Sequence, residues 1–137
     1  MPFSREQDRG VRILVVDDSP SVRRYLRAAL ELHRDWRVCD EARNGQEAVE
    51  QFRKVRPDVI VLDFQMPKMN GLDATRIITQ VSPKTPILIV TLYPSKQLSD
   101  EARKAGARGA CAKADTSSVV DAVGALLRHE TYFPAPN

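Results

Sequence analysis

The sequence predicts an α/β fold, an open and doubly wound parallel sheet with helices on both faces. Three wholly aliphatic runs, Ile13-Leu14-Val15-Val16, Val59-Ile60-Val61-Leu62 and Ile87-Leu88-Ile89-Val90, lack apolar–polar alternation, as strands covered on both faces do. Segments with apolar residues at helical spacing separate them, and the connections are too short for hairpins, so the crossovers are parallel and right-handed. The length, 137 residues, suits one domain of this kind.

Strands are expected at about 12–16, 37–42, 58–62, 86–90 and 108–112. Ser19-Pro20 places an N-cap before a proline at the first helical position, and Val22, Tyr25, Leu26, Ala29 and Leu30 carry that first helix to about His33. Asn44-Gly45-Gln46-Glu47 resembles a capping box, and Ala48, Val49 and Phe52 form the apolar stripe of a second helix ending before Pro57. A third helix runs from Leu72 to about Thr79. A short polar fourth helix is capped by Ser95 and ends near Gly106. Asp115-Thr116-Ser117-Ser118 offers caps for a fifth helix with Val119, Ala122, Val123, Leu126 and Leu127 on its apolar face.

Composition narrows the function classes. No apolar run approaches a membrane span, and Met1 to Gly10 holds Arg5, Glu6, Asp8 and Arg9 without an apolar core, so neither a transmembrane segment nor a secretory signal is expected. The expected location is the cytoplasm. The net charge is +3 with basic residues dispersed, so direct nucleic-acid binding is not expected. Two cysteines, Cys39 and Cys111, make neither a disulfide framework nor a four-ligand zinc site and read as reduced core thiols.

Ligands of open α/β sheets bind beyond the carboxyl ends of the strands. There the sequence places Asp17-Asp18 after strand one, Asp63 after strand three, Thr91 after strand four and Lys113 after strand five. Singly, each has a bland reading as a cap, a turn residue or a solvated cation. Together, three carboxylates at one edge repel unless a cation neutralises them, and hard oxygen ligands without His or Cys point to Mg²⁺. A lysine and a hydroxyl beside such a site suit a phosphoryl group, which makes Asp63 a candidate nucleophile.

These stretches resemble the bacterial two-component response-regulator receiver domain, in particular its chemotaxis regulators. The residues that carry the resemblance are Ile13-Leu14-Val15-Val16-Asp17-Asp18, the run Asp58 to Gly71 with Asp63-Phe64-Gln65-Met66-Pro67 inside it, Val90-Thr91, and Gly106 to Lys113. The resemblance covers about 11–128, leaving 1–10 as an N-terminal extension and 129–137 as a tail or the start of a linker. It implies a (βα)5 flavodoxin-like three-layer sandwich with strand order 2-1-3-4-5. It also implies Asp63 as phosphoacceptor and Thr91 and Lys113 as contacts of the phosphoryl oxygens. The implied Mg²⁺ ligands are Asp18, Asp63, the backbone carbonyl of Gln65 and, through water, Asp17. The donor would be a phosphohistidine on a sensor histidine kinase or phosphotransfer protein. With that strand order Cys39 and Cys111 lie on opposite sheet edges, roughly 19 Å apart, too far for a disulfide.

Three positions depart from the family. Receivers usually carry an aromatic residue three positions before the lysine, and here stands Ala110, so Tyr93 or the loop 91–96 is expected to supply the readout. Leu92 stands where the family has a small residue, so slow reaction with small phosphodonors is expected. With Gln65 and Tyr93 flanking the approach of water, slow loss of phosphate is expected too. Ala114-Asp115 replaces a common proline, and with Glu130-Thr131-Tyr132-Phe133 it resembles receivers that precede helix-turn-helix output domains. No such domain fits in the nine residues after Arg128, which leaves a stand-alone receiver or an excised one.

The leading reading is therefore a phosphorylation-controlled regulator rather than a turnover enzyme, since no GxGxxG, P-loop or GxSxG is present. An aspartate-nucleophile phosphatase would need an Asp-x-Asp pair at the first strand end, which Asp17-Asp18-Ser19 does not supply. The remaining alternative is a degenerate receiver acting as a constitutive protein-interaction module. Arg23, Arg24 and Arg27 on helix one read either as a kinase-docking face or as a solvated charged face. A downstream partner or output domain is expected, and a homodimer is possible.

Overall fold

The computed structural model describes residues 10–134. Five strands, β1 (Val11–Val16), β2 (Trp36–Ala42), β3 (Val59–Asp63), β4 (Ile87–Thr91) and β5 (Gly109–Ala112), form one parallel sheet. Its order is β2-β1-β3-β4-β5. The helices are α1 (Pro20–Glu31), α2 (Gly45–Val55), α3 (Gly71–Val81), α4 (Lys96–Ala105) and α5 (Thr116–Leu127). Among the described residues, no helix is long and apolar enough to cross a membrane.

The missing alternation in the aliphatic runs has a direct structural cause. Successive side chains of a strand face opposite ways, so a run apolar at every position needs an apolar partner on each side. Leu14, Val16, Ile60, Leu62, Ile87 and Ile89 pack with Ala48, Phe52, Ala74, Ile78 and Ala102 of α2, α3 and α4. Ile13, Val15, Val59, Val61, Leu88 and Val90 pack with Leu26, Leu30, Ala122, Val123 and Leu126 of α1 and α5. Each large side chain so buried contributes about 1.5–3 kcal/mol of transfer free energy.

All five helices start at the carboxyl edge of the sheet, each with a side-chain cap. Ser19, Asn44, Asn70, Ser95 and Asp115 accept from the backbone N–H of Val22, Glu47, Asp73, Leu98 and Ser118. The Glu47 carboxylate reaches back past the cap to the N–H of Arg43, one residue further than in a capping box.

Several expectations need adjustment. Helix α1 stops at Glu31 instead of near His33, because His33 leaves the helix in a turn and stacks flat on Trp36, with ring centroids 4.0 Å apart. Helix α3 begins at Gly71 and continues to Val81, two residues beyond Thr79, with Ser82 closing it by donating its N–H to Ile78. Cys111 is a buried thiol, but Cys39 is only half-buried. The β1–β2 register passes from Ile13↔Val38 to Leu14↔Asp40 and skips Cys39, so a bulge on the edge strand turns this cysteine out of the core.

The start of α3 fixes the end of β3. Gly71 donates its N–H to the Phe64 carbonyl at 2.9 Å. A Cβ at this position would lie 2.5 Å from the Asp63 carbonyl oxygen and 3.0 Å from the Phe64 Cα. Gly71→Ala therefore forces α3 away from the β3 terminus. It should cost about 1–3 kcal/mol of stability, read as a lower urea midpoint at unchanged slope. An unchanged midpoint would show that this close approach is not required.

Candidate functional site

The site is assembled by strand register at the carboxyl edge. Asp63 pairs with Val90 in the β3–β4 ladder and Thr91 with Ala112 in the β4–β5 ladder, which sets Asp63, Thr91 and Lys113 side by side. Asp17 follows β1, its N–H donated to the Ala42 carbonyl of β2 at 3.1 Å, and Lys113 donates its own N–H to the Thr91 carbonyl at 2.8 Å. Backbone ladders thus place every chain segment that bears a polar group of the site.

The Lys113 ammonium lies 3.0 Å from Asp17 Oδ2 and 3.1 Å from Asp63 Oδ1. Asp17, Asp63, Thr91 and Lys113 are all buried, whereas Asp18 is exposed. One carboxylate oxygen from each of Asp17, Asp18 and Asp63 lies within 4.8 Å of the others. Burial and then the charge of Asp17 push the Asp63 carboxyl up to about 6, against the pull of Lys113 and a backbone hydrogen bond from Gln65. Burial disfavours the Lys113 cation, yet its hydrogen bond with Asp17 and the charges of Asp63 and Asp17 raise its pKa overall.

Above this cluster opens a cleft of about 430 Å³ lined by Asp18, Asp63, Gln65, Met66, Pro67, Thr91, Leu92 and Lys113. The three carboxylates face a single ammonium, so oxygen donors outnumber the cations that could balance them. Such a set matches a hard divalent ion of the Mg²⁺ type, with Asp18 and Asp63 on the open side and Asp17 beneath. Leu92 stands at the rim, 58% exposed, and walls one side of the cleft without closing it. Tyr93 is more exposed still and lines the adjoining depression over α4; its backbone N–H reaches Thr91 Oγ1 at 3.3 Å. Ala110 does not reach the site. It is buried in the layer under α2, α3 and α4.

Four contacts of α1 leave no mark in the sequence. The Tyr25 hydroxyl on α1 donates to the Lys113 carbonyl at 3.0 Å, so the lysine's backbone is held from both β4 and α1. Arg23 donates to the Asp17 carbonyl at 2.6 Å while also pairing with Glu41, and Arg27 pairs with the same Glu41 at 2.6 Å. Of the three α1 arginines considered as a docking face, Arg23 and Arg27 are thus engaged within the chain, and Arg24 is exposed. Spacing along the sequence carries no sign of contacts between positions as far apart as 25 and 113.

Comparison with known proteins agrees with this geometry. The family described as the response regulator receiver domain matches residues 13–124. The chemotaxis protein CheY of Thermotoga maritima is 36% identical over 120 residues, 87% of this chain and 99% of that protein. A protein-glutamate methylesterase/protein-glutamine glutaminase of Pyrococcus abyssi is 48% identical over 84 residues, and the match spans 61% of this chain but only 23% of that protein's length. Among solved structures, a LuxR-family two-component response regulator from Aurantimonas sp. SI85-9A1 superposes with a TM-score of 0.87 at 34% identity, covering 90% of this chain and 89% of that one. With the 2-1-3-4-5 sheet and the acidic pair, aspartate, threonine and lysine at its carboxyl edge, this chain belongs to the response regulator receiver domain family.

Proposed function

We propose that this receiver domain accepts a phosphoryl group on Asp63 from the phosphohistidine of a sensor histidine kinase or phosphotransfer protein in the cytoplasm. The observation that carries the reading is that Asp18, Asp63, Thr91 and Lys113 line one cleft, with Asp17 buried beneath them against the Lys113 ammonium. In the transfer, an Asp63 oxygen forms the new bond to phosphorus as the phosphorus–nitrogen bond breaks, and the departing imidazole takes up a proton. The nucleophile is the ionised carboxylate, and an Asp63 pKa of about 6 leaves it mostly ionised at neutral pH. Lys113 supplies a fixed positive charge to the phosphoryl oxygens, and Thr91 offers its hydroxyl. Asp18, Asp63, the Gln65 carbonyl and, through water, Asp17 would hold Mg²⁺, which when bound would neutralise negative charge at the site. Such a module reports to a downstream partner or output domain. The presence of all five polar positions at one site, four lining the cleft and Asp17 beneath, favours it over a constitutive interaction module.

Beryllium fluoride, a mimic of an aspartyl phosphate, provides the test. With Mg²⁺ it should bind the parent chain and move the backbone amide resonances of residues 17, 18 and 63, and Asp63→Asn should bind none. Equal responses of parent and variant, or none from the parent, would contradict the assignment.

The raised pKa of Asp63 has its own consequence for stability. A folded-state pKa above the unfolded value means that the folded chain holds a proton which the unfolded chain has lost, so this group's stabilisation is present below about pH 4. It is lost as pH rises through about 6. Without added metal, Asp63→Asn should then exceed the parent in stability by about 1–3 kcal/mol at pH 8, with the gap closing toward pH 4. Urea unfolding at several pH values measures this, and a gap independent of pH would contradict it.

A further inference from the structure

β5 is the short outer strand of the sheet, and its four residues, Gly109-Ala110-Cys111-Ala112, are all small. The chain after α5 turns back at His129, which has a φ of 66°, and lies against this edge. Tyr132 forms a parallel bridge with Gly109: its N–H donates to the Arg108 carbonyl, and its carbonyl accepts from the Ala110 N–H, both at 2.9 Å. Only glycine fits at 109, because a Cβ there would lie 2.8 Å from the Tyr132 carbonyl oxygen.

Neighbouring residues of an extended segment face opposite ways, and the tail follows that rule. Tyr132 packs into the layer shared with α1 and α5. Phe133 packs into the opposite layer, the one that contains Ala110, Ala102 and Ala105. The guanidinium carbon of Arg103 on α4 lies 4.1 Å from the centre of the Phe133 ring. An aromatic ring from the tail therefore fills the α4–β5 edge that the small residues of β5 leave open.

Helix α4 has little else to anchor it: it buries Leu98 and otherwise only Ser99, Ala102 and Ala105. Its first turn follows Thr91 after the four residues Leu92 to Ser95. One continuous segment thus joins a hydroxyl of the candidate site to the helix that grips the tail.

We propose that residues 131–133 form a releasable sixth edge strand with Phe133 as its latch, so that tail docking and the state of the site control one another through α4. The inference rests on the phosphoacceptor reading and adds a regulatory element to it. Two backbone hydrogen bonds and two partly buried rings, Tyr132 and Phe133, hold the strand, and a shift of α4 would withdraw the support of the Phe133 ring. Linkage makes the effect reciprocal: a ligand in the cleft that displaces α4 loosens the tail, and removal of the latch favours that ligand.

Amide hydrogen exchange of the full chain tests this at Tyr132 and Ala110, whose N–H groups make the two tail bonds. Phe133→Ala and, from the other side, Arg103→Ala should each speed exchange at both amides by about tenfold, and Phe133→Tyr should restore the parent rate. Mg²⁺ with beryllium fluoride should speed the same two amides in the parent, and Phe133→Ala should bind the fluoride complex several-fold more tightly. Unchanged exchange in Phe133→Ala would overturn the latch. A complex that is formed, as seen at amides 17, 18 and 63, but leaves Tyr132 and Ala110 unmoved would overturn the coupling alone. Failure to form the complex would overturn the phosphoacceptor reading and the coupling with it, while latch exchange in the variants would still be read without ligand.

Discussion

Two buried carboxylates share one ammonium at the carboxyl edge of the sheet, and much of the surrounding structure makes that arrangement tolerable. Lys113 lies 3.0 Å from Asp17 and 3.1 Å from Asp63, with all three out of water. Removing the shared ammonium would typically cost about 3–5 kcal/mol, because two buried carboxylates would be left uncompensated. The fold spreads the burden over backbone and side chains. Asp17 accepts the Ser19 N–H, Asp63 accepts from Gln65, and the Lys113 main chain is held by Thr91 and Tyr25. Even so, the third carboxylate, Asp18, leaves the cluster with more negative than positive groups.

The topology explains why the charges meet here. In a parallel sheet all strands end on one side, and the crossovers start every helix on that same side. Five capped helix N-termini therefore ring the edge at which Asp17, Asp63, Thr91 and Lys113 emerge. Helix N-termini favour negative charge, which suits both carboxylates and a phosphoryl group. The apolar layers on either face make the strands rigid, so the positions of the polar groups are set by ladder register and not by flexible loops.

The strands and site positions were legible in the sequence for physical reasons that stop at the local level. A four-residue aliphatic run announces a doubly covered strand, and a charged residue at its end is conspicuous because the run itself admits none. The caps were legible because Ser, Asn and Asp act within three residues of themselves. What could not be read was contact between distant segments. The Tyr25 hydroxyl on the Lys113 carbonyl, the Arg23 and Arg27 pairs with Glu41, and the tail bridge at Gly109 all join elements with no shared local pattern. The bulge that turns Cys39 outward belongs to the same class, since register between β1 and β2 is a property of the pair. Leu92 was read by size alone, whereas its effect depends on the loop that turns it to the cleft rim.

The edge carries an excess of negative charge, buried at Asp17 and Asp63 and exposed at Asp18, which the fold tolerates and which, on the proposed reading, a divalent cation relieves. Thermal unfolding at neutral pH, in millimolar Mg²⁺ and in potassium chloride of equal ionic strength, tests it most directly. Mg²⁺ should raise Tm of the parent by several degrees through binding to the folded state alone, and Asp18→Asn should lose most of that rise. Identical Tm values for the parent in the two salts would show that the carboxylate cluster is already neutralised without metal and would contradict the account.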